Sequence, residues 1–255
     1  MELPCTVVVP TSTKQRMVEK IKESGAEVVI RGRNWKEADN YLHETYMKGS
    51  QGEGTSKPIY AHPFDDPTIW EGHSTIVHEI MDSLQEQNVP VERVRGIICS
   101  VGGGGLLNGI IKGLEDHGLA DKIPVIAVET YGCNVLGVSL TAGQPVILDK
   151  ITSLATSLGS SYIPRSVYDN AVRYGIKSLV LEDKCVVDTC LRYANDFGQI
   201  VEPACGASIH IGYHSELLEG FLGKFSKDDL IVIIACGGSS STFEDLTTAS
   251  KRLYI

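Results

Sequence analysis

Positive charge is in short supply in this sequence. Its 23 lysines and arginines face 32 aspartates and glutamates, giving a formal net charge of −9 and a pI near 5.3. So acidic a chain presents no basic face to neutralise phosphates, which excludes nucleic acid as a partner. Long hydrophobic runs are missing as well. No stretch approaches the ~18 apolar residues of a membrane span, and no signal pattern opens the N-terminus. The seven cysteines (Cys5, Cys99, Cys133, Cys185, Cys190, Cys205 and Cys236) are odd in number and include no C-x-x-C pair. Most sit inside apolar runs, as reduced thiols do, so no disulfide frame is expected. These absences predict a soluble, intracellular protein, in the cytoplasm or, as the alternative, the mitochondrial matrix. What remains is ordinary: 42% hydrophobic residues suit one large or two modest packed domains.

One stretch organises the rest. Val94 to Val101 is an apolar run of strand length, and Leu106, Leu107, Ile110, Ile111 and Leu114 recur at the spacing of one helical face. Gly102, Gly103, Gly104 and Gly105 join the two. Without Cβ atoms, and with a helix N-terminus behind them, their N–H groups can converge on one anion, most readily a phosphate. The competing reading is a plain strand-to-helix turn.

Along the chain, Leu3 to Pro10 reads as a strand. A helix follows, with Thr13 as its cap, Met17, Val18 and Ile21 facing inward, and its stop at Gly25. Glu27 to Ile30 is a strand, Trp35 to Met47 a helix, Lys48 to Lys57 a polar loop, and Lys57 to His62 a third strand. A turn at Pro63 to Pro67 leads to a long helix, Thr68 to Asn88. Beyond the glycine loop come a strand at Pro124 to Val128, a short helix at Cys133 to Leu140 and a small-residue loop, Ser157 to Ser161. Helices at Ser166 to Tyr174 and Asp183 to Phe197 flank a strand at Ser178 to Leu181. Pro203 opens a helix to about Glu219. Leu230 to Ala235 reads as a strand covered on both faces, ending in a second glycine-serine turn, Cys236 to Ser241, before a last helix. This is an α/β pattern of parallel sheets with helices on both faces. It divides into a small part, residues 1–62, and a large part, residues 63–255, with both glycine turns at the strand ends where open α/β sheets bind ligands.

Five motifs in register carry a resemblance. Pro63-Phe64-Asp65-Asp66-Pro67 with Ile69-Trp70-Glu71-Gly72, Ser100 to Leu106, Val128-Glu129-Thr130, Glu202 to Ala207 and Ala235 to Ser239 are similar to the serine/threonine dehydratase family, nearest its fungal catabolic L-serine dehydratases. The resemblance implies PLP fold type II (tryptophan synthase β-like) and pyridoxal 5'-phosphate (PLP) as cofactor. It implies β-elimination of L-serine to pyruvate and ammonia, and of L-threonine to 2-oxobutanoate. It places the PLP phosphate on Gly102 to Gly105, and a neutral Cys236, with Gly237 beside it, against the pyridine nitrogen. Glu129 and the carbonyls of Cys133, Leu158 and Ser160 would hold a monovalent cation such as K+. Val135 stands where animal relatives often have serine, which removes one side-chain oxygen from that set. A homodimer and a small amino-acid substrate complete the implied partners.

The family's Schiff-base lysine lies in an S-x-S-F-K-x-R-G motif, and its substrate carboxylate loop in S-S-G-N-x-G or S-S-G-G-N-A-G. Neither occurs in this sequence; both precede the strand that is Leu3 to Val9 here. No catalytic residue is therefore assigned. The expectation is an N-terminally truncated dehydratase, inactive alone, that binds PLP non-covalently if at all and has an incomplete small domain. The alternative is a non-catalytic phosphate-ligand binding or subunit-association module. A dinucleotide site with Glu129 as the ribose acid is a further reading, but G-x-G-x-x-G fails here, its last position falling on Leu107 or Asn108. His210 and His214 read as two surface histidines without a third ligand, and His73 and His78, five apart, suit neither a helical stripe nor a ligand pair.

Overall fold

Four β-branched residues, Thr6–Val9, form β1, which pairs in parallel with β2 (Glu27–Ile30) from Thr6 opposite Glu27 to Val9 opposite Ile30. The computed structural model describes residues 3–48 and 57–254, in two units, Met1–Ala61 and His62–Ile255. In the first, α1 (Gln15–Glu23) joins the strands and buries Val18. Asn34 caps α2 (Trp35–Leu42) by accepting from the Glu37 N–H, and the helix widens into a π-helical turn, His43–Met47. Three expectations are corrected here. Lys14 rather than Thr13 is the N-cap of α1. The helix foreseen from Trp35 to Met47 is α-helical only to Leu42. Residues 57–62 form no strand: among the described residues no ladder partner pairs with them, and Ile59 is exposed. Residues 49–56 of the expected loop lie outside the described residues.

The second unit is built on a four-stranded parallel sheet, ordered β5-β4-β3-β6. Its strands are β3 (Val94–Ser100), β4 (Val125–Thr130), β5 (Lys177–Leu181) and β6 (Leu230–Ile233). Asp66 caps α3 (Pro67–Glu86), with Pro67 in its first turn, where a missing N–H costs nothing. Then come α4 (Gly105–Asp116), α5 (Val135–Ala142), α6 (Arg165–Arg173) and α7 (Asp183–Phe197). The chain ends through α8 (Pro203–Tyr213), α9 (Glu216–Leu222) and α10 (Phe243–Leu253).

Strand periodicity sorts the core into two layers. Ile97, Cys99, Val125 and Ala127 pack on one face with Val77, Leu107, Ile110, Leu114 and Val167. Ile98, Ile126 and Val128 pack on the other with Val186, Ala207 and Ile211. Burying each such aliphatic side chain contributes roughly 1.5–3 kcal/mol, which is why Ile97 to Cys99 and Val125 to Val128 read as apolar runs. Two further expectations change. The helix from Pro203 breaks at His214 into α8 and α9. β6 is an edge strand with half-buried residues, not one covered on both faces, because β3 is its one partner among the described residues.

Candidate functional site

β3 delivers the chain to the C-terminal edge of the sheet, and Gly102 to Gly105 turn it into α4. Each of the four rejects a side chain. A Cβ on Gly103 would fall 2.4 Å from the Phe64 ring, and one on Gly105 2.9 Å from the Phe64 Cα. On Gly102 it would meet the Leu158 Cα at 2.9 Å, and on Gly104, where φ is +86°, a Val167 methyl at 2.5 Å. Phe64 is itself held: its carbonyl accepts from the Trp70 indole at 2.8 Å, and its N–H donates to His62 Nδ1 at 3.2 Å. Gly104 is the N-cap of α4 without a side-chain cap. Among the described residues no acceptor takes the N–H of Gly103, Gly104, Gly105 or Leu106. Unclaimed donors at a helix N-terminus, on backbone that nothing bulkier could shape, suit an anion such as a phosphate.

β6 lies beside β3, so the second glycine turn opens at the same edge. The Ile234 N–H donates to the Ile98 carbonyl at 2.9 Å, and Cys236 follows two residues on. Cys236 presents surface to solvent, yet partial burial, with Cys205 and Glu202 nearby, pushes its thiol up to about 11. It is a neutral thiol at physiological pH. Gly237, at φ +122°, donates from its N–H to Cys205 Sγ at 3.4 Å, and its carbonyl accepts from the Glu202 N–H at 3.1 Å. The Glu202 carboxylate in turn accepts from the Ser240 hydroxyl. The turn is thereby tied to the start of α8.

Glu129 is fully buried within β4, which runs one residue past it. Its carboxylate accepts from the Leu136 N–H at 2.9 Å, the Gly137 N–H at 2.8 Å and the Ser178 hydroxyl at 2.5 Å. It therefore caps the first turn of α5, and burial outweighs these donors in raising its pKa. Cys133 is buried, its Sγ 3.9 Å from the Ala155 carbonyl. Leu158 closes a 3-10 turn whose backbone lies against Gly102, and the Ser160 hydroxyl donates to the Tyr162 carbonyl at 2.6 Å.

Sequence reading missed the network that holds this segment. Asp183 Oδ1 accepts from the Ser153 hydroxyl at 2.5 Å and Oδ2 from the Leu154 N–H at 2.9 Å. Ser153 Oγ accepts from the Ala155 N–H at 3.0 Å and lies 2.7 Å from Thr130 Oγ1. With the Ser153 proton committed to Asp183, Thr130 must be the donor to it. No motif flags three polar residues so far apart in sequence. His210 also departs from expectation: it is buried, its Nδ1 is 2.7 Å from Thr189 Oγ1, and it stacks on His214.

With this geometry in place, comparison with known proteins settles the family. Residues 1–237 match the family described as pyridoxal-phosphate dependent enzyme. The chain is 53% identical over 250 residues to the catabolic L-serine/threonine dehydratase of Saccharomyces cerevisiae, covering 98% of this chain and 69% of that protein. It is 57% identical over 201 residues to a truncated L-serine dehydratase of the same yeast, covering 78% of this chain and 96% of that protein. The structure of a fungal L-serine ammonia-lyase from Rhizomucor miehei superposes with a TM-score of 0.83 at 30% identity, over 99% of this chain and 75% of that one. Fold type II, with parallel sheets covered by helices on both sides, follows from these neighbours. The chain belongs to the serine/threonine dehydratase family of pyridoxal-phosphate dependent enzymes.

Proposed function

We propose that this chain holds the phosphate and ring-nitrogen ends of the PLP site of an L-serine/L-threonine dehydratase, and that the 255 residues alone do not turn substrate over. The observation that carries the first half is the cradle: four glycines that each exclude a Cβ, with unclaimed N–H groups at the head of α4. In this reading Gly102 to Gly105 hold the phosphate. Cys236, a thiol that stays protonated to about pH 11, meets the pyridine nitrogen without charging it. Bound there, PLP would supply the electron sink for breaking a bond at the substrate Cα.

The second half rests on lysine. Proton abstraction at Cα needs a base within reach, and no lysine of this sequence sits in the family's S-x-S-F-K-x-R-G context. Lys112 and Lys184 are engaged elsewhere, with Asp116 and Asp188. We further read Glu129 and the carbonyls of Cys133, Leu158 and Ser160 as the seat of a monovalent cation such as K+. Support comes from the Leu158 backbone, which rests on Gly102 and would link that seat to the cradle. A cytoplasmic, homodimeric protein completes the proposal, in keeping with seven free thiols.

Two measurements test it separately. Equilibrium dialysis with PLP should show binding that inorganic phosphate competes away. Pyruvate release from L-serine with PLP added should stay at background for the chain alone. Absence of PLP binding would remove the cradle, whereas pyruvate above background would remove the inactivity and leave the cradle standing. PLP binding without turnover is also what a phosphate-ligand binding module would show.

A further inference from the structure

We infer that His78 and His117 form a two-histidine site for a divalent first-row transition metal, with a preference for Ni2+ or Cu2+. The site lies between α3 and the C-terminal end of α4 and is independent of the PLP reading.

Backbone packing fixes the place. A Cβ on Gly109 would fall 2.2 Å from the His73 Cβ, and one on Gly113 2.6 Å from the Val77 Cβ. The two helices therefore meet at near-backbone contact. His78 follows Val77 on α3, and His117 is the C-cap of α4. Their rings converge, with Nδ1 of His78 2.9 Å from Nε2 of His117. A metal–imidazole bond is about 2.0–2.1 Å long, so two nitrogens at right angles about one ion stand about 2.9 Å apart, whereas tetrahedral ligands stand about 3.4 Å apart. This spacing, set by the hydrogen bond the rings share, is also the one right-angle coordination requires, so square-planar or tetragonal Ni2+ or Cu2+ could replace the shared proton with little movement of either ring, whereas tetrahedral Zn2+ would have to spread them.

The surrounding charges fit the assignment. Asp116 Oδ2 lies 3.8 Å from Nε2 of His78, the nitrogen turned away from His117. A carboxylate there favours the proton on Nε2 and leaves the Nδ1 lone pair for a metal. Lys112 pairs with Asp116 at 2.9 Å and with Glu71 at 3.2 Å, so one cation is set against two carboxylates and the locality stays negative. No three His, Cys, Asp or Glu residues among those described are grouped around a metal position. Water therefore fills the remaining coordination positions. Without metal, the two imidazoles share one hydrogen bond.

The test is calorimetric titration of the untagged full chain with NiCl2 at about pH 7.5, with His78→Gln and His117→Gln alongside. Glutamine keeps a hydrogen-bonding side chain, and circular dichroism checks the fold. One site is expected, weakened about tenfold or more in each variant. His214→Gln should leave it unchanged. Wild-type affinity in His117→Gln, or no heat up to about 1 mM NiCl2, would overturn the site. Tighter binding of Zn2+ than of Ni2+ would overturn the right-angle geometry.

Discussion

The Phe64 ring occupies the space that a side chain at Gly103 would need, leaving 2.4 Å where a Cβ would stand. A motif residue from the turn before α3 thus dictates glycine in the loop before α4. Gly103→Ala should displace either the ring or the loop. Overpacking of this kind costs about 1–3 kcal/mol, and PLP or phosphate affinity should fall about tenfold or more while far-UV circular dichroism is kept. Unchanged affinity by calorimetry would return the loop to the status of a plain turn.

Glu129 connects stability to pH. Because burial raises its pKa, the folded chain holds that proton more tightly than the unfolded chain does. Its contribution is therefore greatest below the ordinary carboxylate pKa and is lost as pH rises through the raised one. Glu129→Gln should flatten the fall of urea stability as pH rises above the ordinary carboxylate pKa of about 4.5. It should also cost about 1–3 kcal/mol, since the amide NH2 would oppose one of the Leu136, Gly137 and Ser178 donors. If Glu129 seats a cation, K+ should restore stability at neutral pH in the wild type and not in the variant.

His210 works in the other direction. Burial first, and His214 second, lower it to about 4, so the folded chain prefers the neutral ring beside Thr189. Its stabilising contribution is present above about pH 6.5 and disappears as pH falls toward the folded value. His210→Gln should remove most of the slope in that window. Glu216, whose own pKa is lowered by its hydrogen bonds, adds a shallower loss at more acidic pH. An unaltered slope in His210→Gln would place the acid sensitivity elsewhere.

Asp183 positions the segment that reaches Gly102. Replacing it by alanine strands the buried Ser153 hydroxyl, at a cost of about 1–3 kcal/mol, and leaves the exposed Leu154 N–H to water. The Leu158 backbone should then shift, and phosphate affinity should fall further than the loss of stability alone explains. Asp183→Asn keeps one acceptor and should show an intermediate effect in both readouts. Wild-type phosphate affinity in a folded Asp183→Ala protein would confine this network to stability.

Much of the fold was legible because the cores of β3 and β4, Ile97 to Cys99 and Val125 to Val128, are buried and apolar, and because Gly102 to Gly105 punctuate a strand and a helix of different period. The residues of residue-to-residue contact were not. Nothing local to Phe64 announces that its ring bars a Cβ at Gly103, and nothing near Asp183 points to Ser153. Lys57 to His62 misled for a related reason: its composition suits a strand, but a strand also needs a neighbour to pair with. β6 misled because an unbroken apolar run does not distinguish a central strand from an edge strand with helices close by. His210 and His214 share a helical spacing that says nothing of which ring Thr189 will meet.

The sheet order has a consequence for how the protein comes into being. β6 is the last strand made, yet it docks against β3, the first strand of its unit. Cys236 comes to the sheet edge that carries the glycine loop only after that long-range pairing closes, a slow class of event in folding. A nascent chain therefore makes Gly102 to Gly105 well before Cys236 is brought to the same edge of the sheet. Ligand added during refolding should report the final docking step rather than the early collapse, which makes binding competence a clock for the completion of the sheet.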